Sequence, residues 1–279
     1  MSKINETYFA SIKARWDARK DRIYQENRIH RVGDEIQNIA MMQYLKSLGL
    51  KIYYKDDSMH ISAMSIFPDN LVHYCNTKPF DVPQIDFINL WVWSPFLQAR
   101  GIYTKTQKIY EEDKTTYDVV FIPCLKPEYN FTRGLLTNNV LQIYDFLKKS
   151  FKEVRMIVDA QKINLIQKKD PNIIFSNNMH TTFRYIEKSK IFIGCDTGTS
   201  HYAGAIKHPR MLLLYPDEKP MQKEILWQKD LISHVFSVPE LKLYQPSSMP
   251  CCPKNNMQIM TLKNNAIDPI EVMKVILNF

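Results

Sequence analysis

From position 117 onward the chain repeats one pattern: a short apolar run, a polar break, then a stretch whose apolar residues recur three and four apart. The runs at 119–123, 154–158, 172–175, 191–194 and 210–215 predict strands. The periodic stretches at 139–151, 179–188, 200–206 and 269–277 predict helices. Short, wholly apolar strands alternating with helices predict a parallel sheet covered on both faces. Upstream, Ile36, Ile39, Ala40, Met42, Tyr44, Leu45 and Leu48 keep a helical period as far as Gly49, a residue that commonly ends helices. A short segment ending at Val32 precedes this run and a strand at 51–55 follows it, so the stretch reads strand, loop, helix, strand.

The remaining segments follow the pattern less closely. Residues 7–24 set Tyr8, Ile12, Trp16 and Ile23 near helical spacing among Lys13, Arg15, Arg19, Lys20 and Arg22, which predicts a basic amphipathic helix. Its apolar stripe has three candidate partners: the body of the protein, an anionic membrane surface or another subunit. Between 57 and 113 the pattern is broken by Pro68, Pro79, Pro83 and Pro95, with a buried strand predicted at 85–93. The charged stretch 111–116 reads as a linker. The expected division is therefore a helical extension at 1–27, a first α/β unit at 28–116 and a second at 117–279.

Composition narrows the class of protein. With 279 residues, 45% of them hydrophobic, the chain can bury the cores of two modest domains. The formal charge of +8 favours anionic partners without naming one. Lys and Arg are spread along the chain, densest from Lys13 to Arg31, and no nucleic-acid-binding signature accompanies them. Cys75, Cys124, Cys195, Cys251 and Cys252 are odd in number and scattered, which suits reduced thiols better than a disulfide framework or paired zinc ligands. The amino terminus has no apolar signal region, and the longest apolar run, 211–215, is far short of a membrane span. A cytoplasmic protein is expected.

Candidate chemistry concentrates at the end of the 191–194 strand, where Asp196, Thr197, Gly198, Thr199, Ser200 and His201 lead into a helix rich in small residues. A turn at the carboxyl end of a parallel strand that opens a helix is where such sheets bind ligands. Its backbone N–H groups and positive dipole end favour an anion. Gly198 lets a diphosphate approach the backbone, the hydroxyls of Thr197, Thr199 and Ser200 can donate to it, Asp196 can accept from sugar hydroxyls, and His201 can donate to phosphate. The bland alternative is that Asp196 or Thr197 only caps the helix and His201 is an ordinary half-buried residue.

The order of this loop relative to other stretches adds a second argument. Asp196-Thr197-Gly198, His201, Ala203, Pro209 and the strand 211–215 resemble the signature of glycosyltransferase family 9, whose best-known members are the ADP-heptose:lipopolysaccharide heptosyltransferases. Arg31 to Ile36 is similar to that family's Gly-Asp loop between first strand and first helix. In the tail, 237–253 and Ile267-Asp-Pro-Ile-Glu-Val272 resemble its Cys-Pro segment and final helix, although Met257 and Met260 stand in the region of its later cysteines. The resemblance covers most of the chain after Arg31.

What the resemblance implies is specific. The fold would be α/β and GT-B-like, with two Rossmann-like domains built on parallel sheets, the N-terminal one (28–116) reduced and acceptor-side, the C-terminal one (117–279) binding the donor, plus the N-terminal helical extension. Asp34 would be the general base toward the acceptor hydroxyl, and a helix-terminal Asp facing the dipole is its alternative reading. Lys126, Thr132 and Arg133, after the first strand of the second unit, would join Asp196, Thr197, Gly198, Thr199 and His201 on the donor. Their spacing departs from the family's. The reaction implied is inverting transfer of a sugar, heptose by default, from an ADP-linked or other nucleotide-diphosphate sugar to a lipopolysaccharide or other surface glycan or glycolipid. No Asp-x-Asp occurs, so no metal and no cofactor are expected. Peripheral contact with the inner membrane and the oligomeric state are left open. Two other classes stay in play: a catalytically silent nucleotide-sugar-binding or scaffold protein, and a basic nucleic-acid-binding module.

Overall fold

Helix α1 (Val32–Ser47) is apolar on more than one face. Val32, Ile36, Ile39, Ala40, Met41, Met42 and Leu45 are all buried, so the helix has protein on more than one side. The computed structural model describes residues 22–27, 32–56, 67–76, 106, 108, 116–125, 135–195, 197–216, 242–244, 257–262 and 269–277, some by backbone alone. On one side of α1 lies a three-stranded parallel sheet in the order β1-β2-β3, formed by Arg22–Asn27, Lys51–Asp56 and His73–Tyr74. Helix α1 joins β1 to β2, as a crossover between parallel strands must. At its far end Gly49 takes φ +86° while its N–H and that of Leu50 bond to the carbonyls of Lys46 and Leu45. This left-handed closure is open to glycine at little cost.

The second sheet has seven strands, each neighbouring pair parallel: β4 (Tyr117–Ile122), β5 (Val154–Val158), β6 (Ile173–Phe175), β7 (Ser189–Gly194), β8 (Met211–Pro216), β9 (Lys242–Tyr244) and β10 (Met257–Leu262). Their order is β6-β5-β4-β7-β8-β10-β9. The chain builds outward from β4 to β6, then crosses back and builds the other way from β7. Helices α2 (Thr137–Ser150) and α5 (Pro269–Leu277) cover one face through Val140, Ile143, Leu147, Val272 and Ile276. Helices α3 (Met179–Glu187) and α4 (Gly198–Ala205) cover the other. That second face does not end at its own helices: Phe192, Met211, Tyr202 and Ala203 belong to one apolar cluster with Ile36, Ile39, Ile52 and Tyr54 of the smaller sheet's unit. The two sheets therefore share a core.

The predicted alternation is present, with shifted ends. Helix α1 begins at Val32, so Gly33 and Asp34 stand in its first turn rather than in a loop before it. Helix α4 begins at Gly198, two residues earlier than its apolar period suggests. The last three positions of the helix expected at 7–24 belong instead to β1, because Ile23 pairs with Ile52 in register with β2. Residues 7–21, the strand expected at 85–93 and the tail cysteines lie outside the described residues. Strands β9 and β10 and a 3-10 turn, Ala160–Leu165, were not expected from the pattern. Among the described residues no helix is long and apolar enough to cross a membrane.

One buried titratable group ties two strands together. His208 lies between the starts of β7 and β8, with Nε2 3.0 Å from Ser189 Oγ and Nδ1 2.8 Å from the Arg210 carbonyl. Burial pushes its imidazole down to about 4, against hydrogen bonds that act the other way. The folded state thus holds the neutral ring, while the unfolded chain takes up a proton near pH 6.5. Stability contributed by this site is present above that pH and drains away as the pH falls toward 4. Denaturant titrations across that window should show a loss on the order of 3 kcal/mol attributable to this residue. In His208→Gln the loss across that window should shrink by about that share, and an unchanged slope would show that the ring is not the group responsible.

Candidate functional site

Strands β4 and β7 are neighbours although two strands separate them in sequence, so the direction of building reverses between them. A crevice opens outside the carboxyl ends at such a reversal, and ligands of parallel sheets bind there. The two loops that border it are those beginning at Pro123 and at Cys195, which are the two segments that sequence analysis marked for the donor. They are linked directly, the Cys124 N–H pointing at Cys195 Sγ from 3.5 Å. The first loop leaves at Leu125 and returns at Leu135, which form an isolated parallel bridge, with the Leu135 N–H bonded to the Cys124 carbonyl at 2.8 Å. Lys126, Thr132 and Arg133 fall between those anchors, outside the described residues.

The second loop is built around the Cys195 carbonyl, which accepts from the Ser200 hydroxyl and, at 3.4 Å, from Thr197 Oγ1. Thr199 Oγ1 stands 2.8 Å from Thr197 Oγ1 and completes a short chain of hydroxyls. Thr197 is extended (φ −145°, ψ 172°) and caps α4 through its backbone carbonyl, which accepts from the N–H groups of Ser200 and His201. Its hydroxyl makes no bond to the helix N–H groups and is committed to its neighbours instead. Asp196 lies outside the described residues. Ser200 and Tyr202 are buried, Tyr202 stacked on Phe183 with ring centroids 3.8 Å apart and its hydroxyl bonded to Glu187, so α4 is clamped against α3.

The residue opposite this loop is one that the sequence reading placed in its Gly-Asp loop without giving it a role of its own. Gly33, in the first turn of α1, touches Gly198, in the first turn of α4. A Cβ on Gly198 would lie 3.0 Å from the Gly33 nitrogen and 3.4 Å from Val32 Cβ. One on Gly33 would lie 2.9 Å from His201 Cδ2 and 3.2 Å from the Gly198 Cα. Two helix amino termini therefore meet backbone to backbone, and His201, expected on phosphate, is buried with its ring edge toward Gly33. Asp34 directly follows Gly33; its backbone is described and its side chain is not. Two positive dipole ends side by side repel unless an anion lies near them, so the junction favours a carboxylate or phosphate. Among the described residues no three His, Cys, Asp or Glu side chains are grouped to hold a metal ion.

A large parallel sheet with its switch-point loops facing a smaller parallel unit is the arrangement of a GT-B-like α/β protein. The fold is that of the family 9 heptosyltransferases. Escherichia coli heptosyltransferase WaaC with ADP superimposes with a TM-score of 0.52 at 11% identity, over 92% of this chain and 100% of that one. The glycosyl transferase family 9 protein from Veillonella parvula DSM 2008 gives a TM-score of 0.50 at 11% identity, over 92% of this chain and 90% of that one. No protein-family model and no curated protein matches the sequence. The likeness at these identities is one of fold.

Gly194, the last residue of β7, is held as tightly as the loop it precedes. A Cβ there would stand 2.6 Å from Phe192 Cζ and 2.9 Å from Ser200 Oγ, both on fully buried side chains. Gly194→Ala should cost about 1–3 kcal/mol, because neither neighbour has room to yield. For a chain of this size that is a fall of roughly 2–4 °C in melting temperature per kcal/mol, measurable by differential scanning calorimetry. A variant that melts with the wild type would mean that the strand end is looser than its contacts imply.

Proposed function

We propose that the chain is a metal-independent glycosyltransferase that moves a sugar from a nucleotide-diphosphate sugar to a glycan or glycolipid acceptor. The observation that carries this reading is the meeting of α4's first turn, at the switch point of the large sheet, with α1's first turn, which bears Asp34. A donor held on the first and an acceptor approaching along the second would bring the two reactants to one place. Support also comes from the order of the motifs along the chain and from the shared fold, since the WaaC structure is a complex with ADP.

In this mechanism the diphosphate lies against the N–H groups that open α4, where the dipole and the close backbone at Gly198 favour it. The Asp34 carboxylate takes the proton of the acceptor hydroxyl as its oxygen bonds the anomeric carbon, and the bond from that carbon to the diphosphate breaks. Charge developing on the leaving group is met by fixed dipoles rather than by a metal. Lys126, Thr132 and Arg133, on the loop anchored at Leu125 and Leu135, are the further donor ligands in this reading, with Asp196 on the sugar. Direct displacement inverts the anomeric centre. ADP as the nucleotide, heptose as the sugar, a surface glycan such as lipopolysaccharide as the acceptor, and action in the cytoplasm or at the inner face of the membrane complete the proposal. So does the division of labour between 28–116 and 117–279.

Two measurements test it. A thermal-shift screen with ADP-, GDP- and UDP-sugars should raise the melting transition for one of them, by about 2.7 kcal/mol of stability at a hundred times the dissociation constant. The effect should survive a chelator. With that donor, Asp34→Ala should keep binding and lose roughly a hundred- to ten-thousand-fold in transfer rate. Binding with no transfer in the wild type would leave a silent nucleotide-sugar-binding protein, and no shift with any nucleotide-sugar would end the donor-site assignment.

A further inference from the structure

We propose that Gly33 and Gly198 are positioning residues, whose backbone contact fixes the spacing between the acceptor side and the donor loop. The proposal rests on the glycosyltransferase reading for its catalytic half, and on packing alone for the contact itself. Neither glycine has a positive φ, so no backbone conformation demands glycine at either position. What demands it is approach: each would-be Cβ lies closer to the opposite helix than side chains ordinarily come. Any larger residue must push the two first turns apart, and Asp34, covalently next to Gly33, would move with them.

The same contact is flanked by a continuous apolar core. Val32 and Ile36 flank it on α1, Tyr202 and Ala203 flank it on α4, and all four belong to the cluster that runs from Tyr54 in the small sheet to Leu213 in the large one. Separating the two units would expose this cluster to water, at a cost that grows with every apolar side chain uncovered. The packing around the contact therefore resists a change in that spacing. A misplacement of even 1 Å can cost on the order of a hundredfold in rate when reactants are held in this way.

The test compares Gly33→Ala, Gly198→Ala, the double variant and Gly49→Ala. Gly49 closes the far end of α1 with a positive φ, so alanine there destabilises the same helix without touching the junction. With a nucleotide-sugar that the wild type uses, Gly33→Ala should bind donor within about threefold of wild type by calorimetry. Its single-turnover transfer rate should fall by at least about tenfold. Gly49→Ala should lose melting temperature while keeping its rate. The double variant should lose less melting temperature than the two single losses combined, because the second methyl enters a gap that the first has opened. Unchanged transfer in Gly33→Ala, or a rate loss in Gly49→Ala matching its own, overturns the positioning role. Strictly additive melting losses overturn the contact. A wild type that transfers from no nucleotide-sugar removes the glycosyltransferase reading and the catalytic half of this proposal with it, while the melting data still decide the contact.

Discussion

Helix α1 must be covered on two sides at once, and the arrangement of the molecule follows from that requirement. An amphipathic helix with one apolar stripe would lie on its own sheet and show its other face to water. Here Ile39, Ala40, Met41 and Met42 are consecutive and buried, so protein has to approach from both directions. The small sheet supplies one side, and α4 with the adjoining face of the large sheet supplies the other. Small residues make the second approach possible. Gly198, Ala203 and Ala205 give α4 a low profile, and Gly33 lets α1 come down onto it at the end where the candidate chemistry lies.

This accounts for why the switch-point loops are so firmly built. A loop that binds substrate on an open surface can be held by its own turns, but this one also forms part of an internal boundary. Its hydroxyls are turned inward to the Cys195 carbonyl, its helix is clamped by the Phe183 and Tyr202 rings, and its imidazole is buried. Among the described residues of this loop, what remains for a ligand is mainly backbone, the N–H groups at the start of α4. Backbone N–H groups presented in this way favour an anion such as a diphosphate.

Much of this could be read from the sequence, for identifiable reasons. Strands β4 to β8 are short and mostly apolar, with Asp118, Arg155 and Lys190 near the starts of three of them, so tertiary context had little ambiguity to resolve. The loop after β7 was legible as a candidate site because a strand, a glycine and a helix occur within a few residues of each other. Strand β9 was missed because three residues carry no period, and β10 because Gln258 and Thr261 interrupt its apolar residues. The helices begin ahead of their apolar period, which is why Gly33, Asp34, Gly198 and Thr199 moved from loops into first turns. Nothing local marks Gly33 as the partner of Gly198, since their contact spans the length of the chain between them. His208 was hidden for a similar reason: Ser189, which its ring meets, opens β7, well back along the chain.

The placing of β10 bears on how the chain reaches this state as it is made. Strand β10 inserts between β8 and β9, so the strand synthesised before it cannot occupy its final place until β10 has emerged. Until then β8 offers a bare row of peptide groups, and the face that α5 later covers with Val272, Met273, Val275 and Ile276 stands open. A nascent chain in that condition is a template for pairing with its neighbours on the same message. Strand β10 and α5 together thus close off that edge and face of the sheet.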